Sequence, residues 1–81
     1  MSIEQEIRAY ILENIPGAQN LSFQDEESLA GGGIVDSQGI IQIVSFVEQK
    51  YGVKFGDQEI NEENCASVAS FARFVRKRQT P

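Results

Sequence analysis

The sequence predicts an all-α fold. The expected form is a small four-helix bundle of three main helices and one short helix, with a long loop between helices 1 and 2. Three observations carry this. Apolar residues recur at helical spacing in three segments. Those segments are bounded by capping residues or by proline and glycine. The chain has 81 residues, so residues 1–81 are expected to form one domain with an economical core.

The first helix is expected over residues 2–14, with Ile3, Ile7, Tyr10, Ile11 and, one turn on, Ile15 on one face. Ser2 is the expected N-cap, and Glu4 and Glu6 suit a first turn because acids there complement the helix dipole. Pro16-Gly17 ends it. Residues 17–36 form a long connection, expected to be pinned to the core by Leu21, Phe23 and Leu29; loops of this length are often functional. The run Gly31-Gly32-Gly33 reads as a sharp turn needing positive φ; a phosphate-binding loop would require a following lysine, and there is none.

The second helix is expected at Ser37–Tyr51, with Ile40, Ile43, Val44 and Val47 as its inward stripe, Ile41 partly exposed beside it and Gly52 ending it. Val53 and Phe55 open a short apolar segment, and residues 57–60 suit a single helical turn. The last helix is expected to start at Ser67 as N-cap and to bury Val68, Phe71, Ala72 and Val75, with Phe74 at the border of that face.

Charge is segregated. All 12 acids lie in residues 1–63 with only Arg8, Lys50 and Lys54 as bases; Arg73, Arg76, Lys77 and Arg78 follow with no acid. An acidic body repels phosphates, so nucleic acid is not expected as a partner. The Arg76-Lys77-Arg78 cluster reads as solvated cations complementing a helix C-terminus. No apolar run approaches the ~20 residues of a membrane span, and no membrane partner is expected. The N-terminus lacks a basic-then-apolar leader, and a single cysteine cannot form an internal disulfide, so a cytoplasmic setting is expected. A monomer is expected as well.

Most catalytic chemistry is missing. The chain has no histidine, which removes Ser-His and Cys-His nucleophiles and the commonest metal ligand. Cys65 alone cannot build a thiolate metal site and reads as a small hydrophobe. Asp25-Glu26-Glu27 lacks calcium-loop spacing, and Glu62-Glu63 lies in a polar connection. No catalytic residue and no metal are expected. Ser37 is the exception of interest. The hydrolase elbow GxSxG is not met, because Val35 stands where the first glycine would be. The simple reading of Ser37 is a helix N-cap. A phosphate attached there would also be stabilised by free backbone amides at the positive end of the helix dipole.

The segment G-I-V-D-S-Q-G-I-I-Q-I-V-S-F-V-E-Q-K-Y-G-V-K-F resembles the core of acyl carrier and peptidyl carrier proteins, in which a loop ending in D-S leads into an apolar helix. A D-x-x-x-L element over residues 25–29, the short third helix and the final S-V-A-S-F-A-x-F-V segment fall in the family's order. The resemblance implies a non-catalytic carrier. Ser37 would receive 4′-phosphopantetheine from coenzyme A through a separate phosphopantetheinyl transferase, with Asp36 beside the attachment point. The thiol of that arm would carry an acyl or aminoacyl thioester. An adenylating or acyl-loading enzyme would load it, and downstream acyl-processing enzymes would use it. Gln38, Ile41 and Gln42 are the expected partner contacts. Gln38 departs from the usual leucine or methionine, and the exposed positions of this helix are neutral until Glu48, so charge steering by it is weak. The pattern resembles stand-alone carriers of specialised polyketide or nonribosomal-peptide metabolism, including those that hold an amino acid, more than the housekeeping fatty-acid carrier. A long acyl chain would need a cavity lined by residues such as Val44, Phe46, Phe55, Ile60 or Phe71. The alternative is a small non-catalytic helical interaction module in which Ser37 is only an N-cap.

Overall fold

The structure, a computed structural model, describes residues 2–20 and 22–79; Leu21, expected to help pin the long connection, lies outside them. The described residues contain four α-helices and no strand. The first helix, α1 (Ile3–Asn14), begins where a capping box forms: Gln5 N donates to Ser2 Oγ at 3.1 Å, and Ser2 N donates to Gln5 Oε1 at 2.9 Å. Ile7 and Ile11 are fully buried, and Ile15 follows them into the core as the backbone turns extended.

The connection to the second helix is a tethered loop with one 3₁₀ turn, Ala18–Asn20. Arg8 reaches from α1 to hold it: Nη1 donates to Phe23 O at 2.6 Å, Nη2 donates to Asp25 Oδ1, and the guanidinium lies 4.5 Å from the Phe23 ring centre. Further along, Ala69 N donates to Asp25 O and Leu29 N donates to Ala66 O, each at 2.8 Å. Phe23, Leu29, Ile34 and Val35 are buried. Of the three consecutive glycines only Gly33 has positive φ, at 75°. Gly31 and Gly32 are small for a different reason: a Cβ on either would stand 2.8–2.9 Å from Ser28 atoms.

The second helix, α2 (Ser37–Tyr51), ends at Gly52, whose φ of 69° is left-handed. Ile43 and Val47 are fully buried, Val44 nearly so, and Ile40 is half-buried; Ile41 is 50% exposed. Phe46 turns away from this stripe and stacks on Tyr10 at 4.1 Å between ring centres. Its edge neighbour Tyr51 donates its hydroxyl to Glu6, and burial beside that carboxylate raises the phenol above its ordinary pKa.

The short helix departs from expectation. Residues 57–59 form a 3₁₀ turn, and one turn of α-helix, α3 (Glu62–Cys65), follows in the segment read as a polar connection. Asn61 is the reason: its Oδ1 accepts from Asn64 N at 3.0 Å and nucleates the turn. The last helix, α4 (Val68–Gln79), is capped by a reciprocal pair, Ser70 N to Ser67 Oγ at 3.1 Å and Ser67 N to Ser70 Oγ at 2.9 Å. It packs chiefly against α1 and α3. Phe74 is buried rather than bordering, stacked on Phe55 with ring centres 3.9 Å apart. No helix among the described residues is long and apolar enough to cross a membrane.

The basic end of α4 is engaged rather than merely solvated. Arg76 grips Glu4 with two hydrogen bonds of 2.7 Å, Arg78 pairs with Glu59, and Arg73 lies 3.4 Å from Glu26. The Arg76 hydrogen bonds pull the Glu4 carboxyl down from 4.5 to about 2. Above 4.5, Glu4 is charged whether folded or unfolded, and the stabilisation is complete. As pH falls toward about 2 the unfolded chain binds the proton first, and the stabilisation is lost. Glu4→Gln is therefore expected to melt below the wild type at neutral pH, with the gap closing over that acid range in thermal melts followed by circular dichroism.

Candidate functional site

The site forms where the tethered loop becomes α2. Asp36 has extended backbone, φ −98° and ψ −172°, and its Oδ1 accepts from Gly39 N at 2.9 Å. Asp36 is therefore the N-cap, and Ser37 is the first helical residue. This corrects the capping role expected for Ser37. Both residues are cap formers; the backbone turns helical only after Asp36, so its carboxylate is the one aimed at the third amide. The Ser37 side chain is exposed and makes no hydrogen bond among the described residues. The amides of Ser37 and Gln38 have no intrahelical acceptor, as at any helix start.

Gly39 fixes how closely the loop meets the helix. It is buried, and a Cβ there would stand 2.8 Å from Val35 Cβ. The glycine that weakens the first turn in isolation is what lets Val35 sink against it. Gln38 and Gln42, one turn apart, are exposed and border a groove whose apolar side is formed by Ile15, Pro16, Ile34 and Val35. Ile41 stands one turn from both Ser37 and Gln38 and is the exposed large hydrophobe among the described residues. The expected contacts Gln38, Ile41 and Gln42 thus share an exposed, uncharged surface with Ser37.

A second hollow opens on the other side of α2. It is a cleft of about 450 Å³ with Ala30, Ile40, Ile60, Cys65 and Ala66 along its apolar part. Of the residues expected to line a chain-binding cavity, only Ile60 is here. Val44, Phe55 and Phe71 are packed into the core, and Phe46 is on the α1 side. Cys65 is buried, and that burial raises its thiol pKa, which lowers its reactivity near neutrality. No group of three His, Cys, Asp or Glu residues is placed to hold a metal ion among the described residues. The cleft was not legible in the sequence, because its walls come from the loop, α2 and α3 together.

Compared with protein-family models and with curated proteins, the chain matches none.

The capping geometry makes the two neighbours separable. Asp36→Ala is expected to cost about 0.5–2 kcal/mol of stability, whereas Ser37→Ala should stay within about 0.5 kcal/mol of the wild type. Urea denaturation of the three proteins checks this. Gly39→Ala is expected to cost about 1–3 kcal/mol despite alanine's better helix propensity, because Val35 must be displaced. An unchanged midpoint for Gly39→Ala would show that Val35 yields freely.

Proposed function

We propose that this chain is an acyl or aminoacyl carrier protein in which Ser37 is the attachment point for 4′-phosphopantetheine. The observation that carries the proposal is the position of Ser37. Its hydroxyl is exposed and unbonded, and Asp36 has taken over the capping that would otherwise occupy it. The residues around it fit the group. The free amides of the first turn suit a phosphodiester, and hollows lie on both sides of the helix. When attached, the group supplies a thiol that holds cargo as a thioester. The chain's own residues do the rest: the tethered loop sets the height of Ser37, Gly39 and Val35 lock the first turn, and Gln38, Ile41 and Gln42 offer a surface to visiting enzymes.

Those enzymes are a phosphopantetheinyl transferase, an adenylating or acyl-loading enzyme, and downstream acyl-processing enzymes. Beyond Asp36, the exposed side chains of α2 are neutral until Glu48, which favours recognition by shape and by the Ile41 side chain over recognition by charge. In this reading the chain is a cytoplasmic, monomeric, non-catalytic carrier of specialised metabolism. The interaction-module alternative loses its simplest support, since Ser37 is not the cap.

The test is direct. Incubated with coenzyme A and a broad-specificity phosphopantetheinyl transferase, the protein should gain one phosphopantetheinyl unit in intact mass. Ser37→Ala, shown to be folded, should gain none. Absence of any gain with several transferases would sink the proposal.

A further inference from the structure

The two hollows beside Ser37 differ in chemistry. The groove carries Asp36, whose carboxylate is committed to Gly39 N. The cleft has an apolar floor and three polar lining side chains: Ser28, Asn61 and Glu62. Ser28 Oγ already accepts from Gly31 N at 3.0 Å. Asn61 accepts from Asn64 N and donates to Gln58 O. Glu62 has no such commitment: its carboxylate makes no ion pair or side-chain hydrogen bond among the described residues, whereas nearby Glu59 is paired with Arg78. Among the described residues it is the one charged group lining the cleft, and no cation lines it.

Size and position add to this. About 450 Å³ falls within the range of small-molecule pockets. The bundle interior offers no extension, because Ile43, Val47 and Phe71 are fully buried and Phe55 is stacked against Phe74. Ile40, on the cleft wall, stands one helical turn from Ser37, so an arm tethered at Ser37 starts on the side of α2 that borders the cleft.

We infer that the cleft seats a small apolar amino acid held on the arm, with its side chain against Ile40 and Ile60 and its ammonium group facing Glu62. This rests on the carrier reading and names the class of its cargo. A cargo ending in a free carboxylate is repelled by Glu62, and a long acyl chain finds no interior to enter.

The test uses the full chain, loaded at Ser37 by a transferase with two stable coenzyme A analogues. One carries leucine through an amide in place of the thioester. The other carries 4-methylpentanoate, the same skeleton without the amine. In backbone amide NMR spectra the signals of Ile40 and of residues 60–66 should shift more with the leucyl analogue than with its amine-free counterpart. The leucyl ammonium should titrate about half a pH unit higher on the wild type than on Glu62→Gln, the size of an exposed ion pair. Equal shifts with both analogues, or equal titration on the two proteins, would overturn the assignment of the ammonium to Glu62. Signals of the cleft that do not move with either analogue would overturn the seat itself. Failure of the folded wild type to accept either analogue would instead overturn the carrier reading, and this inference with it.

Discussion

The placement of the site depends on Leu29. Its side chain is fully buried, its N–H donates to Ala66 O, and its carbonyl accepts from both Ile34 N at 2.9 Å and Val35 N at 3.2 Å. One residue in the middle of a long loop therefore ties that loop to the segment before α4 and folds its last turn back on itself. A loop with this much backbone would otherwise pay a large conformational entropy cost without return. With Leu29 held, Ile34 and Val35 drop into the core, and Asp36 arrives at the one height from which it caps α2. Arg8 supports the other half of the loop through Phe23 and Asp25. The serine is held at the surface while the apolar residues just before it, Ile34 and Val35, are buried.

The uneven charge along the chain has an internal explanation. Arg73, Arg76 and Arg78 of α4 reach Glu26, Glu4 and Glu59 in three separate parts of the acidic body. Each pair is at the surface and individually weak. Together they match the basic end of the chain to acids far away in sequence, and they draw the negative charge of those acids away from partners. After its cap Asp36, the first turns of α2 carry neither acid nor base, and Glu62 is left as an uncommitted carboxylate beside the cleft. The electrostatic character of the candidate site is thus partly a residue of what the rest of the fold has neutralised.

Much of the architecture was legible in the residues. Ser2, Ser67 and Gly52 mark helix ends by their own chemistry, and the spacing of Ile43, Val44 and Val47 or of Val68, Phe71 and Val75 names the buried faces. Ser37 could be singled out because it sits at a junction of glycine-rich loop and apolar helix. The misreadings were of close choices and of unseen neighbours. Asp36 and Ser37 are both good caps, and only the backbone angle chooses between them. The helical turn at 62–65 looked like connection because four residues carry no periodicity, and its cap Asn61 is also a common loop residue.

By itself the sequence determined the three long helices, most of their inward faces and the serine at the head of α2, because spacing and capping are local properties that a chain carries with it. The tertiary structure decided which residue caps α2, why Gly39 must be small, where Phe74 goes and which acids remain free. Each of those depends on atoms distant in sequence, such as Val35 against Gly39 or Arg78 against Glu59, and the cleft exists only where loop, α2 and α3 meet.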